Sequence, residues 1–387
     1  MEKEVKGKIL YIGGFDLPDR NAAAQRVLAN AKIFRLLGFG VVLIGLTRKE
    51  CRNVEDFDFE GFKCINLPYP KSILNWFEYL FTIKWYKQYI NEINPELVIA
   101  YNHPAVAIER LLYFDKCRKI LTLADCTEWY EPHGNLIFNI IKRWDVNRRM
   151  YVAHMKMDAL IVTSQFVETF YKSKGKKTLL LPSLVDIQEE KWNVPLIPPT
   201  DTIQLIYVGF TGRNKERLDM MISAIEIIQK EIQKDISFQV IGMTEKQYKA
   251  LYQVNSGRKI PSYIHFLGKI KHKEAINKLC NSDFQIFLRD NTLANKAGFP
   301  TKFSESITAG VITLCNITSD IGNYMIEGEN GYSLDYSNMN SLVDSLRTPL
   351  HLTRLEINEK KAKIDREIFD YRRYVKITNS FLDALYG

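Results

Sequence analysis

A threonine, a lysine and a glutamate stand close together at the start of a predicted helix. The stretch FPTKFSESITAGVITLCN (299–316) reads as a non-helical start, one helix and a short buried strand at 311–314. The first turn of a helix attracts phosphate through its unpaired N–H groups and the positive end of its dipole. Lys302 adds a cation there, and Glu305 could accept hydrogen bonds from two sugar hydroxyls. The pattern fits a nucleotide diphosphate with its ribose; alternatively, Thr301 and Glu305 only cap the helix and Lys302 is solvated.

A second loop of the same character follows a predicted strand at 204–208. It reads GFTGRNK and leads into a predicted helix at 216–233. Its glycines and cations are Gly209, Gly212, Arg213 and Lys215. Glycines let the backbone approach a ligand closely, and cations before a helix suit a phosphate. The second half of the chain is therefore predicted to hold two phosphate-type loops.

The first half places polar residues just after predicted strands. A strand at 8–12 ends in Gly13-Gly14 before a helix at 22–37, which is typical of a βαβ unit, although the GxGxxG pattern is incomplete. The titratable residues that follow the next strands are His103, Asp125 and Glu128. Open α/β sheets bind ligands at the carboxyl ends of their strands, so these are candidate site residues. The alternative is structural: a turn histidine before proline, and two acids at a helix N-terminus.

Composition indicates a soluble globular protein of two domains. The chain has 387 residues, of which 46% are hydrophobic and 25% charged. The six cysteines are scattered, without metal-ligand spacing, so a zinc site is not predicted. The net charge of +8 suits a phosphorylated partner or an anionic membrane surface. Nucleic acid is not an expected partner, because no zinc finger, RNP-type motif or long basic block occurs.

Two runs of alternating strands and helices are joined by a segment rich in proline. The segment PSLVDIQEEKWNVPLIPPTD (182–201) breaks the alternation and reads as a linker. The predicted organisation is a first domain at 1–185, a linker at 186–201, a second domain at 202–365 and a C-terminal helix at 366–387 that returns to the first domain. The predicted fold class is α/β, with two Rossmann-like, doubly wound domains that face a cleft.

A stretch at 72–93 combines a helical pattern with many aromatic residues. It reads SILNWFEYLFTIKWYKQYINEI and has too many large apolar residues for one narrow core stripe. One interpretation is a helix that contacts lipid or a hydrophobic acceptor. The other is a thick core helix of the first domain.

Over nearly its whole length, and most strongly at 205–334, the chain resembles the retaining glycosyltransferases of family 4. These enzymes have the GT-B fold and use nucleotide-sugar donors. Glu305 followed by Ala-Gly-Val-Ile at 309–312 matches their most recognisable segment, in which the glutamate holds the ribose hydroxyls. Lys215 matches a lysine that contacts the diphosphate, with Arg213 as its companion.

The chain also departs from the family pattern. Ala297 stands where many members carry a second glutamate near the donor sugar, and Pro300-Thr301-Lys302 resembles the segment that other members carry instead. A histidine that often contacts the transferred sugar is replaced within 125–128. The sugar side of the site is therefore the part that the resemblance defines least.

Together the residues and the resemblance imply a set of site residues. The catalytic candidates are Lys215, Arg213, Asp125 and His103. The donor-binding candidates are Gly14, Gly209, Gly212, Lys269, Ile270, Pro300, Thr301, Lys302, Phe303 and Glu305, with Lys269 and Ile270 near the base. No metal and no cofactor are expected, because fixed cations and a helix dipole would stabilise the leaving diphosphate.

The implied activity is transfer of a sugar, with retention of configuration, from a nucleotide-diphosphate sugar to a glycan or lipid-linked acceptor. Cell-surface polysaccharide synthesis is the expected context. No run is long enough to cross a membrane and no signal peptide is predicted, so the expected location is cytoplasmic, including the inner membrane face. Two alternatives stay open: a GT-B-type nucleotide-sugar epimerase, and a non-catalytic nucleotide-sugar-binding partner of another transferase. Ala297 favours the second alternative.

Overall fold

The chain divides into two compact units. The computed structural model describes residues 6–18, 20–49, 54–116, 118–131, 136–195, 197–209, 216–255 and 257–387. The first unit comprises Met1–Val185, Ala297–Phe299 and Tyr371–Gly387, and the second comprises Asp186–Lys296 and Pro300–Asp370. Residues 186–201, predicted as a linker, thus cluster with the second unit, and a short 3-10 helix lies among them at Glu190–Trp192.

The first unit is built on one eight-stranded sheet. Its strands are β1 (Gly7–Gly13), β2 (Phe39–Thr47), β3 (Glu55–Phe59), β4 (Phe62–Pro68), β5 (Leu97–Tyr101), β6 (Leu121–Cys126), β7 (Ala159–Val162) and β8 (Lys177–Leu180). The order is β3-β4-β2-β1-β5-β6-β7-β8, with all neighbours parallel except β3 and β4. Its helices are α1 (Ala22–Leu36), α2 (Ile73–Phe81), α3 (Lys84–Ile93), α4 (Ala105–Lys116), α5 (Leu136–Arg148), α6 (His154–Lys156), α7 (Gln165–Lys172) and, from the C-terminus of the chain, a helix at Val375–Tyr386.

The second unit has a six-stranded, wholly parallel sheet. Its strands are β9 (Ile203–Val208), β10 (Ile236–Ile241), β11 (Ile264–Gly268), β12 (Phe284–Phe287), β13 (Ile312–Cys315) and β14 (Gly331–Ser333), in the order β11-β10-β9-β12-β13-β14. Its helices are α8 (Leu218–Ile228), α9 (Glu245–Leu251), α10 (His272–Cys280), α11 (Leu293–Ala297), α12 (Thr301–Ala309), α13 (Met339–His351) and α14 (Arg354–Lys363). The C-terminal helix at Val375–Tyr386 is α15. The predicted α/β class with two parallel-sheet domains is confirmed.

The central strands are the elements that the sequence locates best. Every residue of β5 is buried, and so is every residue of β7 and β12. Strands covered by helices on both faces read as continuous apolar runs, which is the signal that predicts them. Polar residues therefore begin where each strand ends, and the ligand-binding edge is visible in the sequence.

The stretch predicted as one helix at 72–93 is two helices. Thr82 separates α2 from α3 in an extended conformation, with φ −134° and ψ 171°. Its hydroxyl donates to the Glu78 carbonyl at 2.7 Å, and its own Oγ1 accepts from the Lys84 N–H at 3.2 Å. A threonine that bonds to the backbone on both sides competes with helical hydrogen bonding, which explains the break.

A hairpin between α1 and α2 had no counterpart in the sequence-based prediction. β3 and β4 pair antiparallel through a turn at Glu60-Gly61, where both residues have positive φ (49° and 78°). β3 reads EDFDF and is buried at none of its residues, so it has only the weak alternating pattern of an edge strand.

Asp115, near the end of α4, is a buried carboxyl group that should make the stability of the first unit depend on pH. Its side chain is buried, and neither carboxylate oxygen has a hydrogen-bond partner among the described residues. Burial raises its pKa from 3.8 to about 7. The native state then binds more protons than the unfolded chain between those values, so stability falls as the pH rises from about 4 to about 7.

We expect Asp115→Asn to remove that dependence. The limiting slope for one proton is about 1.4 kcal/mol per pH unit. Urea unfolding at pH 5 and pH 8 should show a loss of stability in the wild type that is smaller in Asp115→Asn. Equal losses in both proteins would show that Asp115 does not titrate in this range.

Candidate functional site

Lys302 lies across the carboxyl end of β9 because the residue there is a glycine. Gly209 has a φ of +150°, and a Cβ at this position would stand 2.7 Å from both Cε and Nζ of Lys302. A side chain at this position would displace the end of Lys302, and the conformation itself disfavours residues other than glycine. The Lys302 ammonium lies 5.2 Å from the ring centroid of Tyr207, the fifth residue of β9. The two predicted loops thus meet in the second unit at Gly209 and Lys302.

A buried carboxylate holds the Lys302 ammonium in place. Nζ of Lys302 lies 2.5 Å from Oε1 of Glu216, which is only 4% exposed. The Tyr207 hydroxyl donates to Oε2 of Glu216 at 2.6 Å, and the Tyr252 hydroxyl donates to the Glu216 carbonyl at 2.9 Å. The backbone of Glu216 also bridges to Arg289 after β12. Glu216 therefore fixes a cation at the end of β9.

The helix that carries Lys302 begins at Thr301, not Lys302. Pro300 is the N-cap residue and has no side chain that can accept a hydrogen bond, so the expected cap by Thr301 is wrong. Proline at the N-cap leaves the first N–H groups of α12 without a side-chain cap. The first turn of α12 contains no acidic residue. These features keep the positive end of the helix dipole available to an anion.

Glu305 faces the loop after β11, one turn beyond Lys302. Its Oε1 lies 3.7 Å from Nε2 of His272, the first residue of α10, and α10 packs against α12. Lys269 and Ile270 lie in the short loop between β11 and α10, Lys269 exposed and Ile270 half-buried. The structure thus brings Glu305 and His272 together beside this loop.

The side chain of Phe303, a predicted donor-binding residue, lies in the core of the second unit. Its side chain is fully buried, and its ring meets that of Phe369 edge-on with centroids 5.9 Å apart. Its N–H donates to the Pro300 carbonyl at 3.0 Å. Phe303 therefore anchors α12 in the core. Gly212, Arg213 and Lys215 lie outside the described residues, so their predicted roles stay predictions.

In the first unit, His103 is buried at the carboxyl end of β5. It is 1% exposed, and neither ring nitrogen has a hydrogen-bond partner among the described residues. The rings of Tyr79 and Tyr86 pack edge-on against it at 5.4 and 5.2 Å. Burial, aided by the positive charge of Arg149, lowers the pKa of His103 to about 3. The imidazole is therefore neutral at pH 7. One of its nitrogens can donate a hydrogen bond to a ligand and the other can accept one.

Asp125 is placed differently from the catalytic carboxylate that the sequence suggested. It is fully buried and forms an ion pair with Arg26, with 2.8 Å between Oδ1 and Nη2. The Tyr11 hydroxyl donates to its other oxygen, and Arg26 also donates to the carbonyls of Leu181 and Pro182 at 2.9 Å. The carboxylate links α1, β1, β6 and the end of β8, which is a structural position.

Gly14 is exposed at the carboxyl end of β1, whereas Asp125 is buried. A Cβ at Gly14 would lie 3.7 Å from the Tyr79 hydroxyl. Glu128 is half-buried in the segment after β6. The exposed backbone at Gly14 and the neutral His103 are thus both close to Tyr79, at the carboxyl edge of this sheet.

Sequence reasoning missed three residues of the cluster around Lys302 and Glu305. Glu216 and Tyr207 hold Lys302, and His272 stands beside Glu305. Glu216 follows the glycine loop directly, so a charged residue before an apolar helix was the one signal present. Its pairing with Lys302 spans 86 positions and cannot be seen in a local pattern.

A pocket of about 830 Å³ also lies in the second unit, at the ends of β13 and β14. Arg217, Asn316, Thr318 and Tyr336 are among its lining residues, and none of the predicted site residues that the structure describes is. The pocket and the cluster of charged side chains at Lys302 therefore indicate two different places for the site. The cluster at Lys302 is the better candidate, because it combines a cation with a helix N-terminus.

The described part of the chain contains neither a metal-ligating cluster nor a membrane-spanning helix. No three His, Cys, Asp or Glu side chains are grouped so as to hold a metal ion. No helix there is both long and apolar enough to span a bilayer.

The second half of the chain has a family match. Residues 188–366 match the family model described as glycosyl transferases group 1. This region is similar to glycosyl transferase group 1 domains. It contains Gly209, Lys302, Glu216 and Glu305, so the whole cluster around Lys302 lies within the match. No curated protein sequence gave a significant match to the chain.

Solved glycosyltransferase structures share the fold of the whole chain. Sucrose-phosphate synthase from Thermosynechococcus elongatus is 13% identical with a TM-score of 0.70, covering 98% of each chain. The catalytic domain of starch synthase IV from Arabidopsis thaliana, bound to ADP and acarbose, is 10% identical with a TM-score of 0.68, covering 98% of this chain and 100% of that one. Anabaena HepE in complex with UDP and glucose is 11% identical with a TM-score of 0.65, with coverages of 98% and 100%. These likenesses show the GT-B fold, and the domain match supports a glycosyltransferase.

Proposed function

We propose that this protein transfers a sugar from a nucleotide-diphosphate sugar to a glycan or lipid-linked acceptor, with retention of anomeric configuration. The observation that carries the proposal is the group 1 domain at 188–366, together with the cation and helix N-terminus that meet inside it at Lys302. Glu305 stands one turn away beside the loop after β11. In this proposal Lys302 and the start of α12 take the diphosphate, Glu305 takes the ribose, and the loop after β11 takes the base.

The chemistry follows from charge. The leaving diphosphate gains negative charge as the glycosidic bond breaks, so fixed positive groups stabilise the transition state more than the ground state. Lys302 and the first N–H groups of α12 supply part of this charge. Arg213 and Lys215 are proposed to supply the rest. On this basis the reaction needs no metal ion.

The acceptor is proposed to bind through the first unit. Gly14 offers exposed backbone, and His103 offers a neutral imidazole whose nitrogens have no hydrogen-bond partner among the described residues. Asp125 is not part of this proposal, because Arg26 and Tyr11 already occupy its carboxylate. We propose cell-surface polysaccharide synthesis on the cytoplasmic side of the membrane as the context.

A panel of UDP-, GDP-, ADP- and CMP-sugars, incubated with the protein and a lipid-linked or glycan acceptor, tests the activity. We expect release of one nucleoside phosphate, unchanged by EDTA, and a product whose anomeric configuration by NMR matches that of the donor. Inverted product would disprove retention, and loss of activity in EDTA would disprove the metal-independent chemistry. A changed sugar nucleotide formed without acceptor would instead indicate an epimerase.

A further inference from the structure

The helix α2 turns an apolar face to solvent. Seven of its nine residues are apolar or aromatic, and none of the nine is buried. Ile73 is 91% exposed, Leu74 and Phe77 are exposed as well, and the Phe81 ring lies 5.1 Å from that of Phe77. At 3.6 residues per turn these four positions fall within an arc of about 100°. The exposed residues therefore form one stripe along the helix.

A second apolar stripe lies on α5. Leu136, Ile140 and Trp144 follow one another at intervals of four, and Ile141 stands beside them. All four are exposed, Leu136 at 75%. Helical residues four apart share a face, so this is again a continuous stripe.

The two helices flank a third one. Both α2 and α5 pack against α4. Oδ1 of Asp145 on α5 accepts a hydrogen bond from the Ala105 N–H at the start of α4, at 2.9 Å. Tyr79 on α2 packs on His103, two residues before the same helix start. Both stripes therefore belong to helices that meet at the carboxyl edge of the sheet, where Gly14 and His103 also lie.

The segments that carry the stripes are strongly basic. Residues 71–87 and 136–148 contain six basic and two acidic residues. The basic residues are Lys71, Lys84, Lys87, Lys142, Arg143 and Arg148, of which Arg148 pairs with Glu109 at 2.7 Å. The two acids already have partners: Glu78 pairs with Lys84 at 2.6 Å, and Asp145 holds the start of α4. Exposed apolar stripes with an excess of cations are typical of helices that lie at the surface of an anionic bilayer.

We propose that the α2/α5 surface, defined by the two stripes and these basic residues, docks the protein on a bilayer that contains anionic lipids. A second copy of this chain fits less well, because a symmetric contact would bring two equally basic faces together. Docking here would bring the carboxyl edge of the first unit's sheet close to the lipid surface. Bilayer binding does not depend on the proposed function. Only the conclusion that docking brings the site close to a lipid-linked acceptor rests on it.

Cosedimentation with vesicles tests the surface without any substrate. One set of vesicles is phosphatidylcholine alone, and the other is phosphatidylcholine and phosphatidylglycerol in equal parts. We expect the full-length protein to sediment with the anionic vesicles, less with the neutral ones, and less at about 0.5 M salt. The double variant Ile73→Ser/Phe77→Ser should partition at least about tenfold less, since it removes two apolar side chains from the contact.

Leu355→Ser is the matched control. It makes the same kind of change at a 67% exposed leucine of α14, in the second unit, and should bind like the wild type. Wild-type protein left in the supernatant of anionic vesicles, or equal sedimentation of the double variant, would overturn the proposal. A dimer that dissociates on Ile73→Ser/Phe77→Ser would overturn it too and assign the surface to a second copy. Nucleoside diphosphate binding, measured on the same variants, reports on the proposed function separately.

Discussion

Lys302→Met will lower the free energy of unfolding of the second unit by about 3 kcal/mol, because it leaves the buried Glu216 carboxylate without its cation. The two groups are 2.5 Å apart, with 14% and 5% of their side chains exposed. Lys302→Met/Glu216→Gln removes both charges and should regain most of the lost stability. Urea unfolding of the wild type, both single variants and the double variant measures this coupling. Additive losses would show that the ion pair contributes nothing.

The same variants separate stability from ligand binding. If Lys302 contacts the diphosphate, the folded double variant should bind a nucleoside diphosphate at least about tenfold more weakly, since hydrogen bonds to charged groups contribute about 1.5–3 kcal/mol. Glu216→Gln alone keeps the ammonium and removes a competing anion, so it should bind at least as tightly as the wild type. Lys363→Met, at an exposed position of α14, is the control. Wild-type affinity in the double variant would exclude Lys302 from the site.

The second large effect is expected in the first unit. Arg26→Met should lower its free energy of unfolding by about 4 kcal/mol, because Asp125 would stay buried and unpaired, and two backbone carbonyls would lose their donor. Arg26→Met/Asp125→Asn should regain a large part. Arg347→Met, which breaks exposed pairs with Glu231 and Asp344, should leave stability nearly unchanged, because solvent screens such pairs.

This pair also decides the role of Asp125. A structural role predicts that folded Arg26→Met/Asp125→Asn keeps the turnover of the wild type. A catalytic role predicts that turnover is lost even where stability has been regained. Turnover per folded molecule, with the folded fraction taken from circular dichroism, distinguishes the two.

The sequence was informative where structure depends on local patterns. Buried parallel strands such as β5 and β12 read as apolar runs, and polar residues after them mark the edge of each sheet. The glycine loop after β9 and the helix start before Lys302 were visible for the same reason. The hairpin of β3 and β4 was not, because an exposed edge strand has little apolar pattern.

Long-range pairing was beyond local patterns. Asp125 looked like a site carboxylate because it ends a strand, and only the folded chain brings Arg26 to it across 99 positions. Glu216 and Lys302 are a similar case. Phe303 follows Lys302 directly, yet a helix turns adjacent side chains about 100° apart, so one faces the site and the other the core.

The aromatic stretch at 72–93 contains one helix without buried residues and one helix with two. Its composition left a core helix and an exposed lipid-binding helix open. Tyr86 and Ile90 of α3 are buried, as in a core helix, whereas no residue of α2 is. Contact of α2 with lipid stays a prediction. The break at Thr82 separates the two environments.

We propose that the second unit binds a nucleoside diphosphate at Lys302 and Glu305. The most direct test is a thermal-shift measurement of the purified full-length protein with UDP, GDP, ADP and CMP, because a ligand that binds only the native state raises the melting temperature. We expect a rise with one diphosphate in the wild type and in the control Glu359→Ala, and none in Glu305→Ala. No rise with any nucleotide, or an equal rise in Glu305→Ala, would contradict the account.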